Sequence, residues 1–200
     1  MKATEILIEE HRIIARVLAC LQEIVAEAEK AGKLNAESAS TAVDFFRNFA
    51  DGCHHAKEED RLFVVMEEQG FPRQGGPIGV MLTEHDEGRA AVRGMAQAIE
   101  KAAQGDGEAL KKFTDCAREF IPLLQNHIHK EDHILFPMAD QSVGSNADSL
   151  LADFKRIEQD AGGQRHSHYA KIAKDLCARY QIEFLNSDDL ATLRTEFSID

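Results

Sequence analysis

The sequence contains no tryptophan, only four prolines and no run of about 18 apolar residues. Without such a run, no transmembrane helix is expected. The first residues, MKATEILIEEHRII, carry glutamates where a signal peptide has its apolar core, so we expect a cytoplasmic protein. Alanine, leucine, glutamate and lysine dominate long stretches, and this composition favours helix over sheet.

Basic residues are also scarce, with 23 lysines and arginines against 35 acidic residues and a formal charge of −12. Nucleic acids and anionic membranes bind cationic patches, so neither is expected as a partner. The four cysteines, which form no C-x-x-C pair, are expected to be buried thiols, with a ligand or redox role for Cys53 as the alternative. They are Cys20, Cys53, Cys116 and Cys177.

Apolar periodicity predicts four long amphipathic helices, over residues 3–31, 39–68, 77–103 and 108–138. Pro122 predicts a kink or a break in the fourth helix, and Pro137 helps to end it. Because the connections are short, we expect an all-α, up-down-up-down four-helix bundle.

The composition changes after this bundle. Residues 141–149 read as a polar linker, 149–160 as a short helix and 163–181 as a further helix, with a frayed tail after about residue 186. We therefore divide the chain into a metal-binding bundle at 1–138 and a C-terminal helical extension at 139–200 that packs on it.

Two near-copies, HHAKEEDRLF at 54–63 and HIHKEDHILF at 127–136, each place a histidine four residues before a glutamate. Residues four apart lie on the same face of a helix. The first and third helices each add one histidine to their apolar stripe, at a similar depth in the bundle. The candidate ligands are His11, His54, Glu58, His85, His127 and Glu131.

Six polar groups in one layer of a bundle core would be very costly without compensation, and metal ions remove that cost. Imidazole and carboxylate without thiolate suit iron, manganese or zinc. If Glu58 and Glu131 bridge two ions, each ion also binds two histidines and a bridging solvent oxygen, and one position stays open. Such a position can bind dioxygen, peroxide or nitric oxide. The Glu-x-x-His spacing of ferritin-like sites is absent from the sequence.

The segments EHRII, HHAKEEDRLF, EHDEGR and HIHKEDHILFP resemble, in this order, the four signature segments of the hemerythrin-like (HHE cation-binding) domain. The resemblance covers residues 1 to about 138. It implies a left-handed four-helix bundle with a non-haem di-iron centre, an oxo- or hydroxo-bridged pair of Fe ions. The small-molecule ligand would be O2, H2O2 or NO, and the six candidates fall on the ligand positions.

Two positions depart from the oxygen-carrying members. Their second histidine on the third helix is Arg89 here, and their helix-four aspartate corresponds to Asp132, beside Glu131. We favour Glu131 because it lies on the apolar stripe, with Asp132 as the alternative. The missing histidine points away from oxygen carriage and towards peroxide decomposition, nitric-oxide handling or sensing. Di-iron proteins that repair iron-sulfur clusters have an extra N-terminal cysteine segment, which this sequence does not contain.

The sequence leaves the location or the partner of several further polar residues undecided. His55, His129 and His133 are predicted to point away from the stripe, either to the surface or behind the ligands. His166 and His168 are expected in solvent, with the alternative that one of them, or Tyr169, reaches the open position. Arg89 is expected to pair with a ligand carboxylate or with Asp86 or Glu87.

Two functions follow from these expectations. The first is a redox enzyme that acts on peroxide or nitric oxide. The second is a non-catalytic sensor of dioxygen or iron that signals through the C-terminal helices to a partner protein. Iron storage fits poorly, because the sequence suggests only one two-metal site.

Overall fold

The computed structural model describes residues 2–160 and 165–184, and this part of the chain contains helices and no strand. The predicted all-α class is therefore confirmed, while the up-down-up-down order of the helices stays a prediction. We number the helices α1 (Ala3–Ala31), α2 (residues 36–68), α3 (Gly76–Ala103), α4 (residues 107–142), α5 (Ala147–Asp160) and α6 (Arg165–Arg179).

Helices α2 and α4 are composites that contain π-helical turns. In a π turn the backbone N–H bonds to the carbonyl five residues earlier, so the turn holds about one extra residue. The segments of α2 are Ala36–Phe45, the π segments Phe46–His55 and Glu58–Leu62, and Phe63–Glu68. The segments of α4 are Gly107–Lys130, the π segment Glu131–Leu135, and Phe136–Ser142. All three π segments contain candidate ligands.

The predicted inward stripes of α1 and α3 are buried along their whole length. Both stripes step by three and four residues, which keeps one face of a regular α-helix turned inward. The α1 stripe is Leu7, His11, Ile14, Leu18, Leu21 and Val25. The α3 stripe is Ile78, Met81, His85, Gly88, Val92, Met95, Ile99 and Ala102.

Helix α4 departs from its prediction after Glu131. The three-and-four spacing of the inward residues predicts that Ile134, three residues after Glu131, also faces inward, but it is 53% exposed, whereas Leu135 and Phe136 are buried. The π turn inserts one residue, so the inward face shifts by one position. Helix α4 is unbroken at Pro122. The prediction that Pro137 helps to end the helix was wrong, because Pro137 lies in the first turn of a segment that continues to Ser142.

Two apolar clusters lie on either side of the candidate ligands. One contains the middle of α1, the first part of α2 and most of α6. The other contains Leu7, Leu62 and Leu135, together with Leu150 and Phe154 of α5. The polar layer is therefore enclosed between two hydrophobic cores.

The C-terminal helices contact α1 and α2. Tyr169 on α6 donates to Asp44 at 3.1 Å, and the Sγ atoms of Cys177 and Cys20 lie 3.6 Å apart. Residues 141–149, predicted as a linker, are mostly helical: α4 ends at Ser142, a 3-10 turn spans Gly144–Asn146, and α5 begins at Ala147. The division at residue 138 stays a prediction, and the predicted frayed tail lies outside the described residues.

The sequence also predicted buried cysteines and no transmembrane helix. Three cysteines are buried and Cys116 is half-buried. Within the described residues, no helix combines the length and apolar character needed to cross a membrane.

Candidate metal centre

All six candidate ligands are buried and face one another from the four long helices. We call this set the ligand layer. The members are at most 2% exposed, although every one carries a polar or charged side chain. Helices α1 and α3 each contribute one histidine, and α2 and α4 each contribute a histidine and a glutamate. The ligand layer is His11, His54, Glu58, His85, His127 and Glu131.

The π turns explain how α2 and α4 present two ligands each. The inward residues of α2 follow in steps of four, from Phe46 through Ala50, His54 and Glu58 to Leu62. On a regular α-helix each step of four overshoots a full turn by about 40°, so such a stripe would rotate away from the core. The wider π turns compensate for this rotation, and all five residues are buried.

Each glutamate of the ligand layer lies between the Nε2 atoms of two histidines. Glu131 Oε2 lies 3.2 Å from His11 and 3.2 Å from His127. The two oxygens of Glu58 each lie 3.5 Å from one imidazole, that of His54 and that of His85. A carboxylate in this position can bind metal ions on both sides of the layer.

The inner atoms of this layer have unused hydrogen-bonding capacity. Both oxygens of Glu58 and of Glu131, and the Nε2 atoms of His11 and His54, are buried without a hydrogen-bond partner among the described residues. Buried polar atoms are normally satisfied, and leaving one unsatisfied costs about 1–3 kcal/mol. The donors are imidazole nitrogens and carboxylate oxygens, which bind divalent cations. The residues present therefore fit a metal centre.

The donors fall into two groups that share Glu58. One consists of His11, His54, Glu58 and Glu131, and the other of His55, Glu58, His85 and His127. Within each group, one donor atom from every residue lies within 4.8 Å of the others. Two ions that share one carboxylate would match this grouping.

The pKa values of the two central carboxylates, Glu58 and Glu131, are shifted in opposite directions. Burial, followed by the charge of Glu131, raises the pKa of Glu58 well above its ordinary value. Burial acts in the same direction on Glu131, but His127 and His11 outweigh it and hold that pKa well below the ordinary value. Burial and the neighbouring His11 lower the pKa of His54 to about 4, so its imidazole is neutral and can act as a metal ligand.

The four histidines of the layer are fixed from behind by carboxylates, which we call the outer carboxylates. In each case Nδ1 donates to a carboxylate oxygen, and this leaves Nε2 facing the layer. The distances are 2.7 Å from His11 to Asp132, 3.0 Å from His54 to Glu10, 2.7 Å from His85 to Glu59 and 2.9 Å from His127 to Glu84.

Every outer carboxylate comes from a different helix than the histidine it holds. Helix α4 supports α1, α1 supports α2, α2 supports α3, and α3 supports α4. The sequence predicted none of Glu10, Glu59 and Glu84. A signal was present nonetheless, because each outer carboxylate directly precedes or follows a member of the ligand layer in the chain.

Basic residues neutralise three outer carboxylates. The fully buried Lys57 ammonium donates to Glu10, and Lys130 donates to Glu84. Arg89 donates to Glu59 at 2.5 Å and to Asp51 at 2.8 Å. These cations keep the outer carboxylates ionised as acceptors for imidazole N–H groups.

The alternatives that the sequence left open at α3 and α4 can now be compared with the geometry. Glu131 lies in the ligand layer, while Asp132 lies behind it and accepts from His11. Arg89 contacts Asp86 at 3.1 Å on the surface, in addition to its outer carboxylate Glu59.

The remaining histidines differ from one another. His129 and His133 are exposed, as predicted. His55 was predicted to lie on the surface or behind the ligands; the surface alternative was wrong, because the residue is 8% exposed and belongs to the second donor group. The unforeseen π segment Phe46–His55 explains the error, since it changes the direction of the side chains at its end.

None of the candidates on α6 belongs to either donor group. His168 is exposed, and Tyr169 reaches Asp44 instead. The expectation that His166 lies in solvent was wrong, because it is buried, and its Nε2 lies 4.0 Å from Oε1 of the outer carboxylate Glu10. Helix α6 therefore approaches the centre from behind His54.

A cavity of about 210 Å³ reaches the ligand layer from the side of the second donor group. Its inner wall includes His55, His85 and His127. Of its other residues, seven are apolar and five are charged: Phe46, Ala50, Gly88, Val92, Phe120, Leu123 and Leu124, and Arg47, Asp51, Glu84, Arg89 and Arg93. Small molecules fit within this volume.

Similarity to known proteins is consistent with this centre. The chain is 24% identical over 135 residues to the uncharacterized protein Rv1995 of Mycobacterium tuberculosis, covering 68% of this chain and 52% of the relative. It is 28% identical over 126 residues to the iron-sulfur cluster repair protein YtfE of Yersinia pseudotuberculosis, covering 60% and 57%. The chain thus spans about half the length of these relatives, and no solved structure matches it significantly.

The model of the hemerythrin HHE cation-binding domain matches residues 2–139. This range contains the whole ligand layer and all four outer carboxylates. The chain belongs to the hemerythrin HHE cation-binding family.

Proposed function

We propose that this protein holds two iron ions in the ligand layer of an up-down-up-down four-helix bundle and binds a small oxygen or nitrogen species there. The observation that carries the proposal is the set of buried inner atoms of Glu58 and Glu131 without hydrogen-bond partners among the described residues. A bundle core contains such atoms at low cost only when cations satisfy them.

Two ions, rather than one, account for the donor arrangement. The two donor groups share only Glu58, and a single ion could not satisfy both. Iron suits the mixture of imidazole and carboxylate, with manganese or zinc as alternatives. The Yersinia pseudotuberculosis relative is an iron-sulfur cluster repair protein, and this similarity also favours iron.

The cavity supports a small ligand such as O2, H2O2 or NO. A bound iron pair would supply redox equivalents and an open coordination position at the inner end of this cavity. Phe46, Val92 and Phe120 give this cavity an apolar wall, while Arg89 holds Glu59 and thereby orients His85. The chain's own residues thus fix the imidazoles and line the cavity beside them.

Iron analysis and an optical spectrum test the core of this proposal. We expect two iron ions per chain and the visible absorption of a coupled ferric pair. One ion per chain, or none after loading with ferrous iron, would contradict it. Multiple-turnover removal of peroxide or nitric oxide would then assign a redox enzyme.

The alternative function is a sensor of oxygen or iron that acts through the C-terminal helices. One observation favours it: His166 on α6 lies next to Glu10, which holds the ligand-layer residue His54. A stoichiometric spectral change without turnover would support this function. The cytoplasmic location and the partner protein remain predictions.

A further inference from the structure

His55 occupies a position that the proposed centre does not explain. It follows His54 directly, yet the two imidazoles face different neighbours. His54 bonds Glu10 of α1, whereas His55 stacks on His85 of α3, with ring centroids 3.8 Å apart and planes 14° from parallel. Consecutive residues on a regular helix point about 100° apart, so one would ordinarily face away from the layer. The π segment ending at His55 buries both.

We propose that His55 is a seventh protein ligand of the metal centre and binds the ion on the cavity side together with His85, His127 and Glu58. This inference rests on the proposed function. It gives each ion four protein residues: two imidazoles and two carboxylates on one side, three imidazoles and the shared Glu58 on the other. The two ions are then chemically different.

The distances within the second group permit this coordination. Metal–nitrogen and metal–oxygen bonds of about 2.0–2.2 Å place two donors of one ion at most about 4.4 Å apart. The donor atoms of His55, Glu58, His85 and His127 lie within 4.8 Å of one another, so small side-chain movements bring them into range. An imidazole nitrogen binds a metal ion in the plane of its ring, so His55 has to turn out of its nearly parallel stacking on His85 when both residues bind the same ion.

The Nδ1 atom of His55 is buried without a hydrogen-bond partner among the described residues, unlike the Nδ1 atoms of the four ligand-layer histidines. Its Nδ1 lies 3.4 Å from Oδ1 of Asp51, and Arg89 holds the same oxygen at 2.8 Å. Arg89 also donates to Glu59, which holds His85. One guanidinium therefore holds both the Asp51 carboxylate near His55 and the Glu59 carboxylate that accepts from His85.

His55→Ala tests the assignment, with His129→Ala as the matched control, because His129 is an exposed histidine on α4. Iron per chain is measured against a competing chelator, and the Mössbauer spectrum is recorded for the loaded proteins. In His55→Ala we expect one of the two ions to bind at least about tenfold more weakly. Of the two iron signals in the wild type, one should change and the other persist. Added imidazole should restore the lost ion.

The outcomes distinguish a failure of the proposed function from a failure of the His55 assignment alone. If the wild type holds no iron pair, the proposed function itself is wrong. If the wild type and His55→Ala hold two ions with identical spectra and affinities, only the assignment of His55 is overturned. A folding defect would appear as a lower melting temperature of metal-free His55→Ala. His55→Asn, which retains a polar side chain of smaller size, then serves as the second variant, with the same loss of one ion expected.

Discussion

Glu58 belongs to both donor groups, and this makes it the most sensitive residue of the centre. Its two oxygens face imidazoles from different helices, His54 of its own helix and His85 of α3. Removing the side chain deprives both groups of a donor at once. Removing His54 affects only the group on the α1 side.

Glu58→Ala should therefore lose both ions, and His54→Ala should lose at least one. In both variants the melting temperature of the loaded protein should fall together with the iron content, because metal binding and folding are linked. Metal analysis and thermal unfolding measure the two effects, with His133→Ala as an exposed control. Wild-type iron content in either variant would overturn the ligand assignment.

The outer carboxylates act on the metal only through the histidines that they hold. Glu84→Gln should weaken iron binding by about 10–100-fold, because His127 loses an ionised acceptor. Glu87→Gln on the same helix is the matched control, since Glu87 is exposed. Competition with a chelator gives the affinities. Equal affinities would mean that the bond from His127 to Glu84 has no influence on the centre.

The sequence predicted the inward face of α3 fully, but it did not predict the π turns of α2. Helix α3 alternates steps of three and four, and every residue of its predicted stripe is buried. Helix α2 has an inward stripe in steps of four only, a pattern that a regular α-helix cannot keep facing one way. Steps of four only are therefore a sequence signal for π turns. The same kind of turn moved Ile134 to the surface in α4.

The structure brings the six predicted side chains of the ligand layer together, because they repeat a simple spacing on apolar stripes, while their binding of metal stays a prediction. The outer carboxylates and His55 were missed for a physical reason. Their directions depend on contacts between helices and on the local widening of α2, and neither follows from the periodicity of one helix. Asp132 shows this clearly, since it is adjacent to Glu131 but contacts His11 of another helix.

Helices α3 and α4 approach closely at Gly94. A Cβ atom added there would lie 2.6 Å from the Sγ atom of Cys116. Gly94→Ala should therefore cost about 1–3 kcal/mol of unfolding free energy through overpacking, against a gain of roughly 1 kcal/mol in helix propensity.

The double variant isolates the contact. In a Cys116→Ala background, Gly94→Ala should cost about 1–3 kcal/mol less than it does in the wild type. Chemical denaturation of the four proteins gives this coupling. If the two substitutions are additive, the close approach of α3 and α4 at this point does not limit stability.

At the scale of the whole molecule, the metal centre is part of the core. It lies between two apolar clusters that contain residues of all four long helices, and α5 and α6 each join one of them. A ligand that binds only the folded chain raises its stability according to its concentration and affinity. The centre is therefore expected to stabilise the protein as well as to act in its chemistry.

Chelation of the iron should lower the melting temperature and increase hydrogen exchange in α1 to α4 around the ligand layer. Mass spectrometry of exchanged peptides can compare the loaded and the metal-free protein. A redox enzyme predicts that the effect is concentrated near the layer. A sensor predicts an additional change in Arg165–Arg179, which approaches Glu10 through His166.

Each histidine of the ligand layer is held by a carboxylate of another helix, so cutting the chain between helices separates some histidines from their acceptors. Each helix pair contains imidazoles whose acceptors belong to the other pair, since His11 depends on α4 and His85 on α2. A hairpin of α1 and α2, or of α3 and α4, expressed alone would therefore carry misdirected ligands. Two such fragments should take up iron only after they have reassembled, which makes iron uptake a reporter for complementation between split halves.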